Sequence, residues 1–277
     1  MKRIWTLALA LLALTAPCWA ADALTQNDVL SIRNGQFHLD GAPFAEISFN
    51  KFDLLWQLYD QLDAGHALTA DNPMVKAQDK ALRELNDLGF RTIRIFALPW
   101  KDIGNAAYAD PEKRKRLYEA LDKVVELCDR HDIRVVWSLG CGDFTDVRRD
   151  ADGKWQYDGE HYRELFGDPS SQGRQRLYRY IDETVNRYKG RKTVLMWEIG
   201  NEITLHADIG KDHVYKNQRM PTLKDVAGFY DDVAKRIKAA DPLRLVNNGG
   251  SHLREHQWNL YQGKGYRVRD TLEEQRK

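Results

Sequence analysis

Strand-like and helix-like segments take turns along this chain from Phe37 to Val246, and that alternation limits its fold more than any other feature. Apolar runs at residues 45–49, 92–98, 133–139, 193–199 and 243–246, several of them β-branched, predict five strands. Helices are predicted between them. Asp71-Asn72-Pro73 opens one over residues 74–88, and Gly89 ends it. Asp110-Pro111 opens a second that runs to residue 130, with Leu117, Leu121, Val124, Val125 and Cys128 at helical spacing. A third covers residues 171–188, and a fourth starts at Pro221-Thr222 and stops at Asp241-Pro242. Ahead of the first strand, residues 36–44 read as a hairpin turning at Asp40-Gly41. An excursion rich in leucine and aromatics follows that strand (Phe52, Leu54, Leu55, Trp56, Leu58, Tyr59), and residues 140–170 form a long polar loop without periodicity.

Strands separated by helices of this length imply βαβ units and a parallel sheet, and strands apolar on both faces are what a sheet covered on both sides requires. A doubly wound sheet would need a glycine-rich phosphate turn after its first strand. Ser48-Phe49-Asn50-Lys51 is not one. The expected fold is therefore α/β, a (β/α)8 TIM barrel of which about five βα units are present. The loops that lengthen follow strands one, three and four, on the face where such barrels build their active sites. Five parallel strands cannot close this barrel, so residues 21–277 are expected to be the N-terminal part of the domain. The two open sheet edges would be a route to self-association.

The first residues carry a different signal. Lys2 and Arg3 precede an uncharged apolar run from residue 4 to 16, and Pro17-Cys18-Trp19-Ala20 offers small residues at a cleavage site. This predicts a secretory signal peptide at residues 1–20 and a secreted or periplasmic product with no membrane attachment after cleavage. The apolar run is shorter than the roughly 20 residues of a spanning helix. Losing Lys2 and Arg3 moves the formal charge from +1 to −1. A balanced chain of this kind gives no electrostatic footprint for nucleic acid. Cys128 and Cys141 remain after cleavage, one near the end of a helix and one past the following strand. A seven-residue strand spans roughly 23 Å, which excludes a bridge between them, so both are read as buried thiols.

Chemistry concentrates where the fourth strand ends. Residues 194–200 deliver Asn201 and Glu202 to its C-terminal tip. Cleaving a glycosidic bond needs a carboxyl group to protonate the leaving oxygen and a second carboxylate across the sugar. A strand tip holds Glu202 rigidly enough for the first task, and Asn201 beside it is placed to bond a sugar hydroxyl. A turn-capping role for Glu202 is the competing reading. Glu198 lies within the strand and is expected to join a buried ion pair or face a helix. Asn50 at the tip of strand one reads as a turn residue on its own pattern. Trp100 after strand two is a stacking platform for a sugar ring or a packing residue. Asp143 after strand three is a candidate hydroxyl acceptor. His206, His213 and His252 are scattered and lack the convergence of a metal site; neither a metal nor another cofactor is expected. Arg174, Arg176, Arg179 and Arg187, with Asp182 and Glu183, read as a solvated, ion-paired helix face.

Trp197-Glu198-Ile199-Gly200-Asn201-Glu202 resembles the Trp-Glu-x-x-Asn-Glu strand-four signature of the (β/α)8 glycoside hydrolase clan that includes family five. Arg94, within Thr92-Ile93-Arg94-Ile95-Phe96, resembles that family's strand-two arginine. Phe166-Gly167-Asp168-Pro169 and Arg187-Tyr188-Lys189 bring residues 162–202 closest to the β-mannanase branch. The resemblance covers about residues 36–252. It implies a retaining glycosidase acting on β-1,4-linked mannan or glucan, with Glu202 as acid/base, Asn201 on the sugar's 2-hydroxyl, Arg94 bracing the nucleophile and Asn50, if not simply a turn residue, as a polar substrate contact. Two departures stand out. Ser138-Leu139-Gly140-Cys141-Gly142-Asp143 has no histidine where many family cellulases carry one. The family's nucleophile is a Glu on strand seven, and Glu255, Glu273 and Glu274 do not lie at strand tips, so the chain is expected to stop short of it and to lack turnover by itself. The rival expectation is a secreted carbohydrate-binding or structural protein built on the first half of the barrel.

Overall fold

The structure is a computed structural model of the 277-residue chain, and it describes residues 24–99, 103–140, 144, 148–149, 155–156, 159–203, 221–250, 258–259, 262, 264 and 268–276. The element order is β1 (Ser31–Arg33), β2 (Gln36–Leu39), β3 (Ala42–Pro43), β4 (Phe49–Asn50), α1 (Asp53–Asp63), α2 (Pro73–Asp87), β5 (Thr92–Phe96), α3 (Ile103–Ala109), α4 (Pro111–Arg130), β6 (Arg134–Ser138), β7 (Arg148–Arg149), β8 (Trp155–Gln156), α5 (Gly159–Gly167), α6 (Gln172–Tyr188), β9 (Val194–Glu198), α7 (Leu223–Ala240) and β10 (Val246–Asn247).

The helices start where side chains can satisfy their first amides. Asn72 accepts from the amides of Met74 and Val75 with Pro73 at the first helical position of α2, and Asp110 does the same for α4 ahead of Pro111. Ser171 caps α6, and Thr222 and Asp225 form a reciprocal capping box on α7.

β10-β9-β6-β5-β4 form one five-stranded sheet, parallel throughout. Its register sorts side chains by face, because residues paired across parallel strands point the same way. Ile93, Ile95, Val135, Trp137 and Trp197 share the face that packs on the helices and are fully buried. Trp137 meets Trp197 edge-on at 5.9 Å and Tyr188 at 4.7 Å. Side chains of this size anchor a core at roughly 3–5 kcal/mol each on truncation to alanine. The other face, the barrel interior, runs through Asn50, Arg94, Val136, Met196, Glu198 and Asn247 by the same pairings. The described strands form an incomplete α/β barrel.

A three-stranded antiparallel sheet, β1-β2-β3, lies at the amino-terminal ends of these strands. Arg134 at the start of β6 ties it there through Asp40 and the Asp28 carbonyl. The Asp40-Gly41 hairpin is as expected; β1 adds a strand ahead of it through a second tight turn at Asn34-Gly35.

Several expectations are corrected. The first barrel strand is not residues 45–49 but the pair Phe49–Asn50, since only these two residues align with β5. The leucine-rich excursion is α1, which buries Leu54, Leu55, Leu58, Tyr59 and Leu62. The supposed structureless loop at 140–170 contains α5. Arg174 is not on a solvated face: it is 1% exposed, donates to the carbonyls of Leu165 and Phe166, and pairs with Asp232 of α7 at 2.7 Å. Cys128 is buried and free, and burial pushes its thiol well above the usual range; Cys141 lies outside the described residues. No helix among the described residues is long and apolar enough to cross a membrane.

Candidate active site

The parallel strands all point their carboxyl ends at one rim, and the polar side chains of the interior face collect there. Arg94, on β5, is the hub. Its Nε donates to both carboxylate oxygens of Glu198 on β9, at 3.0 and 3.1 Å, and Nη2 adds a third short bond to Oε1. Nη1 donates to Asn50 Oδ1 on β4 at 3.1 Å, and Nη2 to Asn201 Oδ1 at 2.9 Å. The ion pair is largely enclosed, with 18% of the Arg94 side chain and 6% of Glu198 exposed. A guanidinium forked onto a carboxylate in such surroundings is rigid as well as strong. The Arg94 guanidinium also sits 5.1 Å from the Phe96 ring, which stacks on Phe52.

β10 closes the other side. Asn247 Nδ2 donates to Glu198 Oε2 at 3.4 Å, and the Asn247 carbonyl accepts from the Ile199 amide. Ser138, in register with Glu198, has its hydroxyl enclosed with no hydrogen-bond partner among the described residues.

β9 ends at Glu198, and the chain turns through Gly200 to present Asn201, exposed, and Glu202, half-buried. Glu202 has φ +52°, in the left-handed region that an L side chain enters at a cost. Its amide donates to the Gly249 carbonyl at 2.8 Å.

Four of the six candidate residues named from the sequence therefore lie at this rim. Arg94, Asn50 and Asn201 are joined directly, and Glu202 follows Asn201. Trp100 and Asp143 lie outside the described residues, as do His206, His213 and His252. Of the two expectations for Glu198, an ion pair or a helix-facing side chain, the structure has the ion pair, with Arg94 as the partner, and Asn247 and Gly249 join the site without having been expected there. A carboxylate between Trp197 and Ile199 on a buried strand was the available signal, since it demands a counter-charge on the same face. Among the described residues no cluster of histidine, cysteine or carboxylate groups is arranged to hold a metal ion.

The arrangement can orient amides and a carboxyl group toward a polar ligand across the open face of the sheet. Arginine only donates, so Asn201 must turn its oxygen toward Arg94 and its NH2 outward. The rim thus offers a donor from Asn201 beside a carboxyl group from Glu202.

The family model described as Cellulase (glycosyl hydrolase family 5) matches residues 64–265. No curated protein matches the chain. Among solved structures, a mutant of a family 5 mannosidase from Rhizomucor miehei in complex with mannosyl-fructose is similar at a TM-score of 0.60 and 17% identity, over 85% of this chain and 59% of that one. The endo-1,4-beta-mannanase from the same organism matches at 0.53 and 16% identity, over 85% of this chain and 66% of the other. The β-mannanase of the blue mussel Mytilus edulis matches at 0.53 and 15%, over 82% and 65%. The chain spans about three fifths of the length of the first of these.

Proposed function

The chain belongs to glycosyl hydrolase family 5, and from that premise we propose that it supplies the proton-donor half of a secreted, retaining glycosidase acting on β-1,4-linked mannan or glucan, mannan first. One observation carries the reading: Glu202 stands just past the carboxyl end of a central strand, beside an asparagine whose orientation is set by Arg94. Glu202 protonates the leaving oxygen as a second carboxylate, roughly 5 Å away, bonds to the anomeric carbon. The sugar–oxygen bond breaks as the new bond forms. Glu202 then takes a proton from water as that water displaces the enzyme carboxylate. Asn201 donates to the 2-hydroxyl, a contact that strengthens as positive charge builds on the ring.

Among the described strand tips, Glu198 is committed to Arg94 and no other carboxylate faces the rim with Glu202. The nucleophile would accordingly stand on a strand that pairs beyond β4 or β10, the two edges of the described five-stranded sheet. Arg94 would then brace that carboxylate as well as Glu198. The mannan preference rests on residues 162–202 and agrees with the mannosidase and mannanases of similar fold. Residues 1–20, read as a leader, place the product outside the cytoplasm, and the open edges would let the isolated chain self-associate.

Replacing Glu202 tests the reading. In the closed barrel, Glu202→Gln should lower kcat/KM on β-1,4-mannan by about 10²–10⁴-fold and spare dinitrophenyl glycosides, whose leaving group needs no proton. Residues 21–277 alone should release no sugar. Unchanged mannan hydrolysis in Glu202→Gln would leave only a carbohydrate-binding role for this rim.

A further inference from the structure

Glu202 holds an unfavourable backbone conformation, and the structure shows what holds it there. The Gly249 carbonyl accepts from its amide at 2.8 Å. Gly249 lies in the turn after β10, at φ +66°, with its own amide donating to Asn247 Oδ1 at 2.5 Å. That turn leans on the one that carries Glu202. A Cβ on Gly249 would lie 1.7 Å from the Gly200 carbonyl oxygen and 2.9 Å from Cδ of Glu198. Both partners are buried, and the nearest is backbone, so neither can swing aside as a flexible side chain would. Two independent requirements, a positive φ and a contact closer than any Cβ permits, thus fall on the same residue.

We propose that Gly249 is a positioning residue for Glu202: its backbone, wedged against Gly200 and bonded to the Glu202 amide, fixes where the carboxyl group of the fourth barrel strand stands. The role rests on the reading of Glu202 as proton donor, and Gly249 acts through that residue. Asn247 is the second part of the device. Its side chain holds the Gly249 amide and reaches Glu198, and its carbonyl holds Ile199 at the end of β9. One asparagine thereby ties the turn after β10 to both the ion pair and the strand that leads to Glu202.

An alanine at 249 would force the Gly200 carbonyl back by more than an ångström, and the turn through Glu202 with it. A displacement of about 1 Å at a reacting group can cost roughly 10²-fold in rate. The experiment has two arms. In the chain itself, Gly249→Ala should speed amide exchange at Glu202 by about tenfold or more, the worth of one hydrogen bond. The amides of Lys51 and Ala97, which bond to the neighbouring strands β5 and β6, should keep their protection. In the closed-barrel enzyme, Gly249→Ala should lower kcat/KM about 10²-fold on mannan and leave kcat/KM on dinitrophenyl glycosides within a few-fold, the pattern expected of Glu202→Gln. If Gly249→Ala loses protection everywhere, Asn247→Ala, which adds no atom to the turn, decides by the same two readouts with smaller changes. Unaltered exchange at Glu202, or equal loss on both substrates beside a selective loss in Glu202→Gln, would overturn the role of Gly249. If Glu202→Gln itself showed no dependence on the leaving group, the proton-donor reading would fail, and the exchange arm would still judge the coupling.

Discussion

Exchanging the Arg94–Glu198 pair for apolar side chains, singly and together, measures how much the rim depends on it. Glu198→Leu leaves a guanidinium that is 18% exposed and still has Asn50 and Asn201 as acceptors. Stranding one member of a buried pair costs about 3–5 kcal/mol, and this partial hydration puts the loss lower, at about 2–3 kcal/mol. Arg94→Met is harsher. It leaves a carboxylate that is 6% exposed, with one asparagine donor at 3.4 Å, for about 3–4 kcal/mol. The double variant strands neither charge and should cost only about 1–2 kcal/mol, so the coupling comes to at least about 3 kcal/mol. Urea unfolding followed by the fluorescence of the buried Trp137 and Trp197 gives these values, provided the dependence on denaturant is the same for all four proteins. Raising the salt should change the coupling little, because an enclosed pair is poorly screened. If the two single losses simply add in the double variant, to within about 0.5 kcal/mol, the pair is not the buried electrostatic unit described above.

Two further predictions concern parts of the fold that support the rim. Arg244 is fully buried and donates to the carbonyls of Val194, Lys189 and Arg191 and to Asp241, which also accepts from the Trp197 indole. Arg244→Met should cost about 4 kcal/mol in the same unfolding assay, by leaving carbonyls and a carboxylate without a cation; a loss under about 1 kcal/mol would show that they find other partners. Asp79 titrates below the usual carboxylate range: burial pushes it up, but hydrogen bonds from His131 and Arg130 and their charge outweigh that. A depressed carboxyl stabilises the fold above its unfolded pKa, near 4, and this contribution fades as pH falls through the lower folded value. Asp79→Asn should therefore flatten the fall in urea midpoint below about pH 4, and parallel acid limbs in the two proteins would refute the assignment.

The sequence disclosed elements whose signals are local. Asn72-Pro73, Asp110-Pro111 and Thr222 mark helix starts within a residue or two, because a capping side chain bonds the very next turn. The second, third and fourth barrel strands stood out as apolar runs for the same reason. α1 was overlooked at its start because Phe52 gives no side-chain cap, although positions 54, 55, 58, 59 and 62 carry clear helical spacing. Arg174 was misjudged because its partner Asp232 lies 58 residues away, and no pattern within one helix reveals a cation that faces inward toward another.

The candidate site divides along the same line. Arg94 and Glu198 sit within strands, where strict alternation fixes the face of each side chain, so their meeting followed once β5, β6 and β9 lay side by side. Glu202 lies four residues beyond Glu198, after the strand has ended, and alternation no longer governs it. A helical turn, a strand extension or a reversal at Gly200 would each aim its carboxyl group differently. What selects among them is a carbonyl 47 residues further on, in a turn that belongs to another strand and tolerates no side chain. The motif at 197–202 names the carboxyl group proposed as proton donor, whereas the turn that carries it is held by Asn247 and Gly249, and only the register of β10 on β9 brings the two together.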